Sequence, residues 1–237
     1  MKNIRTYDIL EYLKGKKRCT LRELMAKFGV SSATIHRDVA ELVSRNAVER
    51  IRGGIVFADA PTAKPGGVNY QDRVIANSAA KEKIAEKAVR LVSEGDILFL
   101  DSSTTVYAFA QRLRLADFDH LTIITNSVSI MQNFRKFPQH WVLIGLGGNY
   151  DPQLNSILGA SALQQLAEFN ITKAFVSGFG LNDKVLTTNH ERQSELIRKV
   201  LDAAEKRYLL IDRSKYGRTG LYRLSARGAF DAILTEK

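Results

Sequence analysis

The stretch from residue 29 to residue 39 reads Gly-Val-Ser-Ser-Ala-Thr-Ile-His-Arg-Asp-Val and carries side chains suited to recognising a polyanionic partner. Gly29 permits the backbone conformation of a tight turn, and the serine hydroxyls after it can accept the free amide hydrogens of a helix start. At about 100° per residue, a helix beginning at Ser31 or Ser32 places Arg37 among short side chains. Such a guanidinium can bond to O6 and N7 of guanine or grip a phosphate. We therefore predict a helix that binds in the DNA major groove.

Two further helices are predicted before this turn. Thr20 and Glu23 have the spacing of a capping box, and residues 21–28 carry an apolar stripe at helical intervals. Residues 4–13 show the same amphipathic pattern. Three short helices with a tight turn between the second and the third are typical of a helix-turn-helix.

After Asn46 the pattern changes to two β-like runs about Gly53 and Gly54, which predict a basic hairpin of the kind called a wing. For a single short motif, a helical core with merely solvated arginines is the commoner explanation. Here the cap, the turn, the periodicity and the hairpin agree, so we favour DNA binding. The predicted DNA contacts are Ser31, Ser32, Ala33, Thr34, His36, Arg37, Arg50 and Arg52.

The charge distribution favours the same interpretation. The chain has 35 Lys plus Arg against 25 Asp plus Glu, a formal net charge of +10. Residues 1–66 hold 13 basic and 7 acidic side chains, or +6, and residues 67–237 hold 22 and 18, or +4. The positive excess per residue is therefore concentrated at the N-terminus, where binding to DNA phosphates would release counterions and weaken as salt rises.

Composition excludes several other classes of protein. The 237 residues are 45% hydrophobic and 25% charged, which is ordinary for one or two globular domains. No signal peptide is evident, and no apolar run approaches the roughly 18 residues that span a bilayer. Cys19 is the one cysteine, and the four histidines lack the spacing of zinc ligands. We expect a cytoplasmic protein with no metal, no cofactor and no membrane partner.

Pro61 and Pro65 lie in a stretch with neither helical nor strand periodicity, where we place an inter-domain linker. The predicted domains are a winged helix-turn-helix domain over residues 1–57, a linker over residues 58–70, and an α/β domain over residues 71–237. No internal repeat or extended low-complexity tract interrupts this division.

Beyond the linker, short apolar runs alternate with amphipathic helical stretches. This alternation predicts an α/β fold with a mostly parallel sheet covered by helices on both faces. The predicted strands are residues 97–100, 121–125, 141–144, 174–177, 208–211 and 232–234. The predicted helices are residues 77–92, 106–113, 128–134, 161–168 and 194–204.

Hydroxyl side chains and glycines follow the ends of these predicted strands. Ligands of such sheets bind beyond the carboxyl ends of the strands, and hydroxyls with free amides at a helix start form an anion site. Each feature alone would be only a capped helix or a tight turn, but their shared position favours a site for a phosphorylated, hydroxyl-rich small molecule. The candidate effector-binding residues are Asp101, Ser102, Ser103, Thr104, Thr105, Thr125, Asn126, Ser127, Gly147, Gly148 and Lys215.

These motifs make the chain resemble the DeoR family of bacterial transcription regulators along nearly its whole length. The family's N-terminal signature has a Val-Ser-x-x-Thr-Ile-Arg-Arg-Asp-Leu core and an Arg-x-x-Gly-Gly wing, similar to residues 30–39 and 50–54 here. Its C-terminal motifs are an Asp-x-Gly-Thr-Thr-like loop, a Thr-Asn segment, a Gly-Gly pair and an Asp-x-Ser-Lys segment. The similar segments here are residues 101–105, 125–126, 147–148 and 212–215.

The resemblance implies a regulator, expected to be a repressor of a sugar or carbohydrate catabolic operon. Its C-terminal domain would resemble sugar-phosphate isomerases in fold and would sense a phosphorylated sugar. The implied partners are double-stranded operator DNA, that effector, and further copies of the chain in a dimer or tetramer, with recognition helices about one DNA turn apart or a multiple of it. The chain departs from the family pattern at several positions: His36 replaces the first arginine of the Arg-Arg pair, and Ser103 replaces the glycine of the first loop. Gln193 and Ile197 stand where the family often has glutamate and lysine.

Two alternatives remain open. An isomerase-like enzyme would need a positioned general base, for which Asp101, Glu191 or Asp212 could serve, although kinship of fold is weak evidence for catalysis. A DNA-binding protein whose second domain only oligomerises would bind its operator indifferently to every sugar phosphate. Because a DNA-reading module fits a pocket that reports a metabolite better than one that consumes it, we expect a regulator without catalytic residues.

Overall fold

The computed structural model describes residues 2–16, 18–44, 47–51, 53–57 and 69–237. The chain divides into two compact units, Met1–Asp72 and Arg73–Lys237. Residues 58–68 of the predicted linker lie outside the described residues, so the linker and the predicted domain limits stay predictions.

Helices and short strands alternate in the first unit. In chain order its described elements are α1 (Lys2–Lys16), β1 (Arg18–Thr20), α2 (Leu21–Phe28), α3 (Ser32–Ser44), β2 (Val48–Ile51) and β3 (Gly54–Phe57). The strands form an antiparallel sheet in the order β1-β3-β2. Ile9, Leu24 and Ile35, one from each helix, are fully buried in a common core with Ile55 of β3. This arrangement confirms the predicted winged helix-turn-helix.

The turn between α2 and α3 is built from the residues that predicted it. Thr20 Oγ1 accepts from the Glu23 amide at 3.2 Å, and the Glu23 carboxylate accepts from the Thr20 amide at 2.7 Å, which completes a capping box. Gly29 takes a left-handed φ of 61° and ends α2. Ser31 Oγ then accepts from the Thr34 amide at 3.4 Å and caps α3. The direction in which α3 leaves the turn is therefore fixed by local bonds.

The predicted hairpin is present as β2 and β3, and β1 adds a strand that the sequence pattern did not reveal. Three residues are too few for an alternating pattern to stand out. Thr20 of β1 lies opposite Gly54 of β3. A Cβ on Gly54 would lie 2.3 Å from the carbonyl oxygen of Cys19. Glycine is therefore required where β1 meets the hairpin, because the two backbones approach too closely for a side chain.

An ion pair joins α3 to α1. The Asp38 side chain is 2% exposed, and Arg5 donates to both of its oxygens, from Nε at 2.5 Å and from Nη2 at 3.2 Å. A carboxylate this deeply buried needs such a partner, because an unpaired buried charge is costly. Together with the buried Ile35, Val39 and Leu42, the pair sets which side of α3 faces the core and therefore which side chains α3 exposes.

The remaining elements lie between residues 70 and 237. In chain order they are α4 (Tyr70–Ile75), α5 (Ser78–Val89), β4 (Ile97–Leu100), α6 (Thr104–Leu113), β5 (Thr122–Thr125), α7 (Val128–Asn133), β6 (Val142–Gly145), β7 (Asn149–Asp151), β8 (Ser156–Leu158), α8 (Ala160–Leu166), β9 (Ile171–Val176), β10 (Gly180–Leu181), β11 (Val185–Thr188), α9 (Glu191–Ala203), β12 (Ala204–Leu210), β13 (Tyr222–Ala226) and β14 (Ala232–Leu234).

A six-stranded parallel sheet in the order β14-β12-β9-β4-β5-β6 forms the centre of the second unit. Its strands confirm the predicted set, although β9 begins at Ile171 and β12 at Ala204, ahead of the predicted starts. The first residues of these strands include polar ones such as Lys173 and Arg207, so a search for apolar runs places the strand starts too late. The β7-β8 hairpin and the small antiparallel sheet of β10, β11 and β13 were not predicted.

Helices cover both faces of this sheet. Phe99 of β4 is fully buried in a cluster with Leu196 of α9, and the neighbouring Leu98 is buried in the opposite cluster with Ile84 of α5 and Phe109 of α6. Adjacent strand residues thus enter different cores, as a sheet buried on both faces requires. Nowhere in the described parts of the chain is a helix long and apolar enough to cross a bilayer.

We expect Gly54→Ala to destabilise the first unit by about 1–3 kcal/mol, because the added Cβ forces β1 away from β3. Urea unfolding of the full chain, combined with hydrogen exchange of the β1 and β3 amides, measures the change. Gly228→Ala is the matched control, because its Cβ would meet no atom within 4 Å. Unchanged exchange in β1 and β3 of Gly54→Ala would contradict the prediction.

Candidate functional site

Helix α3 has one buried and one exposed face. Its buried residues are Ile35, Asp38, Val39 and Leu42. Its exposed residues include Ser32, Ala33, His36, Arg37 and Ala40. Arg37 makes no hydrogen bond or ion pair with any residue that the structure describes. The exposed face therefore offers small side chains around an imidazole and a guanidinium, and that guanidinium is available for a partner.

The other predicted DNA contacts have more varied surroundings. Ser31 and Thr34 bond to each other, with their hydroxyl oxygens 3.0 Å apart, and Thr34 is half-buried. Arg50 is exposed on β2, and its Nη2 lies 2.9 Å from His36 Nδ1. Arg52 lies outside the described residues. Helix α3 and the hairpin thus share one surface through His36 and Arg50.

In the second unit, the chain reverses its direction across the sheet at β4. From β4 it passes through β5 to β6, then returns to β9 on the other side of β4 and continues through β12 to β14. The connections after β4 and β9 therefore leave in opposite directions, which opens a crevice beyond the carboxyl ends of these two strands. Predicted effector residues 101–105 follow β4 directly.

A buried carboxylate spans the ends of β4 and β9. Asp101 is fully buried, its Oδ1 accepts from the Ser103 amide at 2.8 Å, and its Oδ2 accepts from the Ser177 amide at 2.8 Å. Burial raises the pKa of Asp101, whereas the bonds from Ser103 and Ser177 and the charge of Lys215 oppose that rise. The carboxylate serves to hold together the two loops that bound the crevice.

The hydroxyl side chains after β4 and β5 are buried and mostly engaged. Residues 101–105 and 125–127 are all buried. Ser103 and Ser127 cap α6 and α7, accepting from first-turn amides at 3.2 and 3.4 Å. Thr125 Oγ1 donates to the carbonyl at the end of β4 at 2.6 Å. The hydroxyls therefore place two helix N-termini beyond the sheet, where partial positive charge favours anions.

Two buried polar atoms in this region have no hydrogen-bond partner within the described part of the chain. They are Thr105 Oγ1, in the first turn of α6, and Asn126 Oδ1, directly after β5. Asn126 is nevertheless held in place, because its Nδ2 donates to Ser156 Oγ at 2.8 Å. Buried polar atoms are normally paired, so these two have bonding capacity left for a ligand hydroxyl.

Two lysines bring positive charge to the ends of the strands. Lys215 is half-buried, and its Nζ donates to Ser177 Oγ at 3.3 Å. Lys81, on α5, is 4% exposed. Its Nζ donates to the carbonyl of Arg73 and, at 2.6 Å, to the carbonyl of Ala76. Lys81 thereby ties α5 to the C-terminal end of α4.

Burial and nearby charges shift the pKa of both ammonium groups. Burial and the charge of Lys215 lower the pKa of Lys81 to about 8, while Asp212 opposes the change. Burial also lowers the pKa of Lys215, and Asp212 and Asp101 oppose it. Asp212 Oδ1 in turn accepts from Asn77 Nδ2 at 3.2 Å. An anion placed between the lysines would relieve the cost of keeping both charged.

Sequence reasoning missed Lys81 and the Ser177 amide. Lys81 lies on the same face of α5 as the buried Ile84 and Ala88, so a lysine at an apolar position of an amphipathic helix was the available signal. Ser177 contributes a backbone amide, which no residue pattern marks.

The glycines after β6 approach their own chain closely. A Cβ on Gly148 would lie 2.6 Å from the Leu158 carbonyl oxygen, and the Gly147 amide donates to Gln165 Oε1 at 2.8 Å. These contacts account for the glycines without a ligand, so their part in effector binding stays a prediction. Within the described residues, His, Cys, Asp and Glu form no group of three that could hold a metal ion.

The first unit has the architecture of a DNA-binding module, and the second unit has that of a ligand-binding α/β domain. Residues 5–60 match the family model of the DeoR-like helix-turn-helix domain. Residues 76–237 match the family model of the DeoR C terminal sensor domain. The chain therefore belongs to the DeoR family of transcription regulators.

Relatives along the whole chain are transcription regulators. The chain is 30% identical to the transcriptional repressor GlcR of Bacillus subtilis, over 98% of this chain and 88% of that protein. It is 31% identical to the transcriptional regulator IolR of Bacillus subtilis, over 100% of this chain and 92% of that protein. It is 27% identical to the glycerol-3-phosphate regulon repressor of Escherichia coli, over 96% of this chain and 88% of that protein.

Among solved structures, ribose 5-phosphate isomerase A from Methanocaldococcus jannaschii is similar in fold. It is 19% identical, covers 60% of this chain and 55% of its own, and gives a TM-score of 0.41.

We expect Arg37→Ala to weaken binding to a specific DNA site by roughly 1–3 kcal/mol, because the exposed guanidinium is lost from the face of α3. Fluorescence anisotropy with the selected site and with an unrelated duplex measures both affinities. Arg135→Ala, which removes an exposed arginine from the second unit, is the matched control. Equal affinities of Arg37→Ala and the unaltered chain for the selected site would exclude this role.

Proposed function

We propose that this chain represses a sugar or carbohydrate catabolic operon, and that a phosphorylated sugar bound at the strand ends of the second unit changes its affinity for operator DNA. The names of two relatives support repression, and one of them is the repressor of a glycerol-3-phosphate regulon. The contacts beyond β4 and β9 support the chemical class of the effector.

The observation that carries this proposal is the pair of lysines, Lys81 and Lys215, at the ends of the strands. Each is buried enough for its pKa to fall, and the charge of Lys215 lowers the pKa of Lys81 further. A phosphate dianion would satisfy both, with further support from the N-terminus of α6. A neutral ligand would leave the repulsion between the two ammonium groups in place.

The rest of the effector would be recognised by hydroxyl-bonding groups. Asn126 Oδ1 accepts hydrogen bonds, and Thr105 Oγ1 both donates and accepts, which matches the alternating needs of sugar hydroxyls. Both atoms are buried, and Asn126 is held by its bond to Ser156, so a hydroxyl in the correct place would gain more than one that binds a mobile group.

The contacts of Lys81 offer a route from the effector to the rest of the chain. Its ammonium holds the carbonyls at the end of α4, the first helix after residues 58–68 in the sequence. A phosphate that draws this ammonium would compete with those carbonyls. In a dimer or tetramer, such a change would shift the spacing of two recognition helices. The resulting change in DNA affinity can be no larger than the effector's preference between the two states.

The same contacts disfavour Asp101 as the general base of an isomerase. Both of its oxygens already accept backbone amides. A general base needs an oxygen free to take a proton from substrate. We therefore assign the Asp101 carboxylate to holding the site together.

A gel-shift titration on the promoter next to the gene, repeated with a panel of sugar phosphates at fixed salt, tests the proposed function. We expect one class of sugar phosphate to change the DNA affinity and none to be consumed. Lys215→Ala should weaken that response at least tenfold while DNA affinity without effector is retained, because one phosphate contact is lost.

Lys199→Ala, which removes an exposed lysine from α9, is the matched control and should respond like the unaltered chain. An operator affinity indifferent to the whole panel would contradict effector sensing, and turnover of a sugar phosphate would favour the isomerase. Loss of DNA binding together with the response in Lys215→Ala would point to a folding defect, which circular dichroism detects.

The response is also expected to depend on pH. Because a phosphate binds the charged form of Lys81, whose pKa is about 8 in the free protein, effector affinity should fall as pH rises above 8, by up to tenfold per unit. The phosphate itself is fully ionised in this range and adds no slope. Isothermal titration of the responding sugar phosphate between pH 7.5 and 9 measures this fall, and Lys81→Met should flatten it. An identical slope in Lys81→Met would show that Lys81 does not contact the anion.

A further inference from the structure

A contact between α3 and β2 fixes the chemistry of the His36 ring. Arg50 Nη2 lies 2.9 Å from His36 Nδ1. A guanidinium carries five N–H donors and no acceptor, so Nδ1 must be the accepting nitrogen. In the neutral ring the proton then resides on Nε2. The contact therefore makes His36 a hydrogen-bond donor at its other nitrogen.

That second nitrogen is available to a partner. His36 is exposed on the face of α3 that carries Ala33 and Arg37, and its Nε2 bonds to no residue in the described part of the chain. Because Arg50 belongs to the hairpin, the ring is held from outside its own helix. A polar group oriented in this way loses less side-chain entropy on binding.

We propose that His36 determines operator specificity by donating from Nε2 to a base edge in the major groove, and that Arg50 is the positioning residue that sets the tautomer and orientation of the ring. This inference rests on the proposed binding of DNA by the exposed face of α3. The acceptors that a single donor can reach are O6 and N7 of guanine, N7 of adenine and O4 of thymine. The amino groups of adenine and cytosine are excluded, because they are themselves donors.

His36 stands where the family pattern has an arginine, and this difference changes which bases the position would favour. An arginine at position 36 would offer two parallel donors and would favour guanine strongly. The His36 ring offers one donor, and its second nitrogen is occupied by Arg50. The base pair that it contacts should therefore show a different and broader preference than an arginine would give.

The competing explanation is that Arg50 only binds a DNA phosphate. In that case its removal would weaken binding to all sequences about equally and would reduce the salt dependence by about one counterion. A positioning role predicts instead that removal of Arg50 changes base preference at the same base pair as removal of His36. Base preference is a readout that a purely structural or electrostatic role does not move.

The experiment is in vitro selection from randomised duplexes with the purified full chain, followed by sequencing, and affinity measurements at several salt concentrations. The variants are His36→Phe, which removes both ring nitrogens, Arg50→Met, and the double variant. His36→Gln is the conservative rescue, because its amide can accept from Arg50 and donate onward. Arg22→Met, which removes an exposed arginine from α2, controls for lost charge.

We expect His36→Phe and Arg50→Met each to lower discrimination at one base pair of each half-site by roughly tenfold. The double variant should be no worse than either single variant at that base pair, and His36→Gln should retain part of the preference. His36→Arg should shift the preference at that base pair to guanine. Arg22→Met should leave every base preference unchanged.

Two results would overturn the inference. Unchanged preferences in His36→Phe would exclude a base contact by His36, and uniform weakening by Arg50→Met with a reduced salt slope would exclude the positioning role. If the unaltered chain selected no DNA sequence at all, the proposed function would fail together with this inference. Selection of one site by the unaltered chain and by every variant would overturn this inference alone.

Discussion

The second unit depends on one buried carboxylate. Without Asp101, the amides of Ser103 and Ser177 would lack an acceptor in the interior, beside the strand ends where the sheet changes direction. Unpaired buried amides are rare because each costs about as much as a lost hydrogen bond. Asp101 thus fixes the start of α6 through Ser103, and it fixes the partner of Lys215 through Ser177. One side chain therefore joins the loop before α6 to the loop after β9, whose Ser177 accepts from Lys215.

The first unit also contains a buried carboxylate, but its partner is of a different kind. Asp38 is as deeply buried as Asp101, but it accepts from the guanidinium of Arg5 and not from backbone amides. Asp38 lies beside Val39 on the buried side of α3, and Arg37 lies on the exposed side. The bond to α1 therefore governs which groups α3 presents, just as the Asp101 bonds govern what lies beyond β4.

The sequence predicted the parts of this structure that follow from local or periodic constraints. Thr20, Gly29 and Ser31 predict the turn because each bonds or bends the chain within a few residues of itself. The six strands of the parallel sheet stand out because each contains a short run of apolar residues. The β1 strand and the small sheet of β10, β11 and β13 could not be predicted, since their pairing depends on partners distant in sequence. Which distant segment a strand pairs with does not appear as a repeating pattern in the strand's own residues.

The residues of the candidate site also differ in whether a local sequence pattern could reveal them. Residues 101–105 and 125–127 could be proposed because hydroxyls at strand ends form a visible motif. Lys81 was marked only as a lysine at an apolar position of α5, because its environment is created by burial against α4 and by the charges of Lys215 and Asp212. The bond between His36 and Arg50 likewise joins residues fourteen positions apart on different elements. Contacts of this kind arise from tertiary structure, so no local or periodic pattern reveals them.

The two units present positive charge in opposite ways, and this difference decides how each would respond to an anion. Arg37 and Arg50 are exposed, so hydration stabilises their charge before DNA binds, and salt competes with the phosphates for them. Lys81 and Lys215 have already lost hydration, as the fall in their pKa shows, and their repulsion is a cost that the fold bears without a ligand. An anion at the strand ends would recover that cost and would be screened much less by salt. Binding of DNA by the exposed arginines would therefore depend strongly on ionic strength, whereas the proposed binding of an anion by the two lysines would depend on their burial.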